Sequence, residues 1–257
     1  MKIKNIINWK LFRILLSAGV FGVVAIFPYL LTVQGDILKE LPTPTHIVLL
    51  LSLIQTTFLI SIAIFIGLLL GKKVGLGAPL ISNWILKRPI KEELKSVGIL
   101  GIKLGLLAGL MIIGLDYIFT LFMEPITFAS APLWQGFLGS FYGGIVEEIL
   151  MRLFLVTLLV WAMCKFSKTD DSKPSTTVVW IAIIFAAVIF GLGHLPVTAT
   201  LTAITPLVIF RAILLNGIGG IIFGWLYWKK GLEAAIIAHF TVDIVLLVVL
   251  PLVLMIG

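Results

Sequence analysis

Seven apolar stretches, each long enough to cross a bilayer, decide what this chain can fold into. They run at roughly 11–33, 47–70, 97–122, 136–163, 176–194, 203–228 and 232–256, against the about 20 helical residues that cross a hydrocarbon core of about 30 Å. Lipid offers no partner to a backbone N–H or C=O, so such stretches must be helices. With 60% hydrophobic and 12% charged residues, and a mean hydropathy of +1.19, the composition lies outside the range of ordinary water-soluble domains. The expected fold class is an all-α, polytopic transmembrane helix bundle.

The net charge of +7 reads as topology and not as affinity for nucleic acid. Lys2, Lys4, Lys10 and Arg13 precede or open the first span; Lys72, Lys73, Lys87, Arg88, Lys91 and Lys95 follow the second. Lys165, Lys168 and Lys173 follow the fourth and Lys229 and Lys230 the sixth, whereas the other loops hold only Lys39. This alternation is the positive-inside pattern and predicts a cytoplasmic N-terminus. The first apolar run is too long for a signal-peptide h-region and lacks a small-x-small cleavage site, so it is expected to be a retained anchor. The single cysteine, Cys164, excludes an internal disulfide. Residues 71–96 interleave Trp84, Ile85 and Leu86 with lysines, a pattern that fits either a helix in the cytoplasmic interface or a solvated loop. Lys165 to Ser175, with Asp170 and Asp171, reads as a polar cytoplasmic loop. The chain divides into N-terminal transmembrane helices over 1–96, interfacial segment included, and a site-bearing bundle over 97–257.

Ionisable groups inside a span are costly and usually face an interior site. Glu147, Glu148 and Arg152 lie in the fourth span, His194 at the end of the fifth, and His239 and Asp243 in the seventh. Glu148 and Arg152 are i,i+4 in the favourable acid-first order and can pair on one face. On an α-helical wheel Glu147 is turned by about 100° from Glu148, free to project toward another helix as a general base or acid. Phe190 and His194 share a face, Gly191 and Gly193 allow close backbone approach, and Pro196 stops the helix. His239 and Asp243 share a face, where the carboxylate could orient the imidazole or bind a metal beside it. Each group has a bland reading: a polar knot for the fourth span, an interfacial histidine for His194, a self-satisfied pair for His239 and Asp243. Lys103 is placed to snorkel, His46 is expected in solvent, and Arg211 is read as a counter-charge to Asp116 or a glutamate.

The order Glu-Glu-x-x-x-Arg, Phe-x-x-x-His and His-x-x-x-Asp on three separate spans resembles the CAAX protease and bacteriocin-processing (CPBP, Abi) family of intramembrane proteases, which includes the type II CAAX prenyl endopeptidases. The likeness covers Gly136 to about Leu247, and the stretch Gly224 to Leu232 is similar to the family's turn into its last motif. The resemblance implies peptide-bond hydrolysis in the bilayer: Glu147 and His194 activating water, His239 and residue 243 stabilising the oxyanion, Glu148 and Arg152 shaping the site, and Phe190 packing beneath His194. Asp243 stands where those enzymes commonly carry asparagine, so it must be protonated, orient His239 or coordinate a metal. Glu147, His194, His239 and Asp243 form a ligand set compatible with Zn²⁺, and the family is often labelled metalloprotease, although no His-Glu-x-x-His pattern is present.

The expected activity is therefore that of an intramembrane endopeptidase, with membrane lipid and a membrane-associated protein or peptide as partners, prenylated CAAX-type or small. Its expected setting is a prokaryotic plasma membrane. Two rivals stand beside it: a proton- or ion-coupled transporter using the same residues as a relay, and a catalytically silent bacteriocin-immunity protein. The absence of an inverted repeat counts against the transporter.

Overall fold

A computed structural model of the protein describes residues 7–126, 130–167 and 174–256. Lys2, Lys4, Lys168, Asp170, Asp171 and Lys173, which entered the charge and loop arguments, lie outside those residues. Among the described residues there is no strand. Seven helices among these residues are long and apolar enough to cross a membrane: α1 (Trp9–Val33), α2 (Thr45–Val74), α3 (Lys91–Phe119), α4 (Leu133–Phe166), α5 (Thr176–Thr198), α6 (Pro206–Lys230) and α7 (Leu232–Ile256). The protein is an integral, multi-pass, all-α membrane protein.

Polar residues in the connections set where the helices begin and end. Asn8 Oδ1 accepts from the backbone of Lys10 and Leu11 and starts α1. Ser175 and Thr205 cap α5 and α6 through their hydroxyls, with Pro206 at the first turn of α6. Gly75, at φ 71°, closes α2 in the left-handed conformation that glycine adopts without strain. Residues 71–96, read as interfacial helix or loop, contain a short helix, Pro79–Ile85, with Trp84 and Leu86 exposed.

The spans pack around α4, which touches α1, α2, α5, α6 and α7, while α3 covers α6 and α7 from the other side. Large apolar side chains point away from this core: Phe58, Leu110 and Phe185 are 69%, 64% and 52% exposed. In water such a surface would aggregate; lipid is the solvent that accepts it. Cys164 is buried near the end of α4. Outside the site, Arg211 Nη2 pairs with Asp116 Oδ1 at 2.6 Å, joining α6 to α3, so the counter-charge expected for Arg211 is Asp116. Lys103 and His46 are exposed.

Helix–helix contact in lipid depends on close packing, because lipid tails are as apolar as leucine. A Cβ at Gly67 of α2 would fall 2.5 Å from Leu153 O of α4, whereas one at Gly114 of α3 would meet nothing within 4 Å. Gly67→Ala is therefore expected to destabilise the bundle by about 1–3 kcal/mol through overpacking. Gly114→Ala should leave stability unchanged or raised. Thermal unfolding of both variants in detergent, followed by tryptophan fluorescence, checks the contrast; equal midpoints would contradict it.

Candidate functional site

The backbone of α4 departs from an ordinary helix where its charges lie. After Leu133–Phe141 it changes to π-type i→i+5 bonding over Tyr142–Glu147 and again over Ile149–Val156, and returns to α-helix at Thr157. The α-helical wheel turns Glu147 and Glu148 apart; a wider turn rotates successive residues less, and π segments recur at functional sites. Both glutamates accordingly reach the same residue, His239 of α7, from the two sides of its ring. Glu148 Oε1 lies 2.7 Å from Nδ1, and Glu147 Oε2 lies 3.7 Å from Nε2. Asp243 completes the group, with Oδ1 3.8 Å from Nε2.

This arrangement differs from the pairing drawn from i,i+4 spacing. Asp243 shares the face of His239 but stays beyond hydrogen-bond distance of it, and the imidazole is held by Glu148. The reason lies in Arg152. Its guanidinium keeps its proton under all conditions, so burying it demands a carboxylate. Glu148 is that counter-ion, with Arg152 Nη1 2.9 Å from Oε1 and the two side chains 2% and 0% exposed. The contact is an ion pair set by charge and distance, since Nη1 lacks an aligned hydrogen bond. Arg152 Nη2 donates instead to Gly220 O of α6 at 3.2 Å. An anionic Glu148 fixes the His239 tautomer: Nδ1–H donates to it, and Nε2 faces Glu147 and Asp243.

Two phenylalanines frame the pair. The Arg152 guanidinium stands 5.1 Å from the Phe190 ring and 5.2 Å from Phe223. The His239 imidazole stacks on Phe223, with centroids 4.6 Å apart and planes at 20°, and meets Phe190 edge-on at 5.7 Å. Phe190 also meets His194 edge-on at 4.8 Å, so the Phe190 ring lies in contact with both histidines. His194 caps the helix Thr176–Gly193, which stops short before a turn of helix at Leu195–Thr198 containing Pro196. Its Nδ1 lies 2.8 Å from Phe190 O; a carbonyl only accepts, so Nδ1 carries the hydrogen and Nε2 the lone pair. His194 forms no ion pair with a carboxylate among the described residues. Gly191 allows α6 to approach, a Cβ there falling 2.6 Å from Ile213 Cα, but Gly193 faces open space, so only the first of the pair serves close contact.

Metal fit is decided by the donors. Among the described residues no group of three or more His, Cys, Asp or Glu side chains is arranged to hold an ion. Glu148 Oε1 is engaged with Arg152 and His239 Nδ1, and among the described residues no carboxylate is paired with His194. The residues do not form a zinc site as they stand, and no step below runs through one.

Two contributors escaped the sequence reading. A Cβ at Gly143 would overlap Asp243 Oδ2 and fall 3.1 Å from His239 Nε2, so only glycine admits α7 this closely. The signal available was the Gly143-Gly144 pair, separated from the acidic run by Ile145 and Val146. Phe223, stacked on His239, is one of 17 phenylalanines and carried no signal.

Residues 129–245, which contain every residue of this cluster, match the family model described as type II CAAX prenyl endopeptidase Rce1-like. No curated protein and no solved structure matches the chain.

Removing one partner of a buried ion pair leaves an uncompensated charge, at a cost of about 3–5 kcal/mol in measured cases. Arg152→Met should therefore destabilise the protein severely, and Glu148→Gln/Arg152→Met should recover much of that loss. Unfolding midpoints in detergent measure the cycle. Additive losses would show that the two side chains do not depend on each other.

Proposed function

We propose that this chain, whose residues 129–245 match the type II CAAX prenyl endopeptidase Rce1-like family model, belongs to that family and is an intramembrane endopeptidase that hydrolyses membrane-associated protein or peptide substrates with water activated by Glu147. A CAAX-type substrate is the reading the family favours. The catalytic unit is residues 97–257, braced by the helices of residues 1–96.

The observation that carries the proposal is the division of His239. Its Nδ1 is bound to Glu148, itself tied to Arg152, while Nε2 faces Glu147 and Asp243 across 3.7 and 3.8 Å. Three carboxylates gather here against one guanidinium, an excess of acceptors that suits proton handling better than passive packing. Glu147, 25% exposed where Glu148 is enclosed, is the carboxylate placed to meet water.

In the proposed reaction Glu147 takes a proton from a water molecule oriented by the Nε2 lone pair of His194. The water oxygen bonds to the substrate carbonyl carbon, and the carbonyl oxygen becomes an oxyanion. A protonated His239, held at Nδ1 by Glu148, donates from Nε2 to that oxygen. Collapse of the tetrahedral intermediate breaks the C–N bond, and Glu147 returns its proton to the leaving nitrogen. Of the roles open to Asp243, orienting the imidazole falls to Glu148, so the carboxyl acts protonated, as a second donor to the oxyanion. Phe190 and Phe223 cover Arg152 and His239, and the burial strengthens the contacts these two make with Glu148.

Cleavage of a fluorogenic prenylated peptide by the reconstituted protein tests the assignment. Glu147→Gln should lower kcat by about 10²–10⁴-fold, the span of general acid–base catalysis. His239→Gln should lower it by about 10²–10³-fold, as loss of an oxyanion donor does. Turnover surviving Glu147→Gln would overturn the mechanism.

Asp243→Asn yields a pH signature. A carboxyl donates only while protonated, so wild-type activity should fall as pH rises through its titration, whereas an amide donates throughout. The Asp243→Asn variant should stay active to higher pH; a profile collapsing at the same pH would remove Asp243 from the donor role.

A further inference from the structure

We infer that the lysine-rich end of the bundle contains a binding site for the phosphate-bearing headgroup of an anionic phospholipid, separate from the Glu147 cluster. A cavity of about 820 Å³ opens there between the start of α1, the end of α2, the start of α3 and the α6–α7 turn. Lys72, Lys229 and Lys230 line it, together with the apolar side chains of Leu68, Leu76 and Val97. One carboxylate, Glu93, also lines it, and that group accepts from Asn83 Nδ2 at 3.3 Å. Three lysines beside apolar lining residues match an amphiphile with a negative head.

The walls are built and not incidental. Leu232 N donates to Gly77 O at 2.9 Å, and Ile81 N donates to the buried Glu233 Oε1 at 2.8 Å, tying the α2–α3 segment to the α6–α7 turn. A Cβ at Gly231 would overlap Pro79 at this joint. Lys229 Nζ rests 3.3 Å from the centre of the Trp228 ring, which holds one cation at the cavity by its π face.

Depth argues for a lipid over a soluble anion. The helix Pro79–Ile85 forms one lip, and its Trp84 and the adjacent Leu86 are 61% and 58% exposed. Tryptophan and leucine beside lysines mark headgroup depth. The charge bias assigns this end to the cytoplasmic leaflet, where anionic lipids attract basic clusters.

The test uses the purified full-length protein equilibrated with equal amounts of phosphatidylglycerol and phosphatidylcholine bearing identical acyl chains, with retained lipid read by native mass spectrometry. Phosphatidylglycerol should be retained preferentially. Lys72→Gln/Lys229→Gln/Lys230→Gln should cut that retention by about tenfold or more, in line with the contribution of each lysine near an anionic surface. The matching arginine triple, which keeps the charge, should preserve it. Lys87→Gln/Lys91→Gln/Lys95→Gln, at the same end but outside the cavity, should also preserve it. Equal loss in both glutamine triples would replace the site by diffuse attraction, and equal retention of the two lipids would remove it. Inorganic phosphate binding at the same lysines without a preference between the lipids would make it a soluble-anion site and overturn the lipid assignment. None of these readouts involves peptide cleavage, so the inference stands or falls apart from the protease reading.

Discussion

A guanidinium does not give up its proton to suit a bilayer, and Arg152 lies in the middle of α4, so the surrounding helices must answer its charge. The answer has three parts: Glu148 one turn earlier, the carbonyl of Gly220 on α6, and the faces of Phe190 and Phe223 from α5 and α6. Four helices are thereby committed once α7 adds His239 to Glu148. Buried ion pairs of this kind are weak contributors to stability beside an apolar replacement, yet removing one partner is severe. That asymmetry suits a device whose value is orientation. The pair holds one nitrogen of His239 so that the other meets Glu147 and Asp243.

The π-type turns of α4 serve the same end. An ordinary α-helix would aim Glu147 and Glu148 in divergent directions, and only one could reach α7. Widening the turn brings both to a single imidazole, and the missing side chain at Gly143 lets α7 come close enough to be reached. The interruption of α5 at His194 is a third adjustment: its long segment stops at Gly193, and the Phe190 ring touches both histidines without His194 lying in the ion-pair cluster.

What was legible in the sequence followed from single-helix physics. The seven spans could be read because each is a continuous apolar run, and the Glu148–Arg152 pair because both residues sit on one helix at i,i+4. The Arg211–Asp116 pair was accessible as the simplest partner for an isolated cation. What was not legible depended on how helices meet. Spacing alone matched His239 with Asp243, since both lie on α7, and could not foresee that Glu148 from another helix would take Nδ1. No propensity marks a π segment, and none distinguishes Phe223 from the other phenylalanines. The three motifs in order, carrying a family likeness, reached further than the residues taken singly, because they identify helices that must converge.

The orientation of the cluster depends on the tautomer of His239, which imidazole ¹⁵N resonances report directly. In ¹⁵N-histidine-labelled protein, with His46→Gln and His194→Gln variants used for assignment, Nδ1 of His239 should carry a directly bound proton throughout the pH range of the folded state. That signature should be lost when Glu148 is replaced. A lone-pair resonance at Nδ1, or one indifferent to Glu148, would mean that the buried ion pair does not orient the histidine and would contradict the central claim.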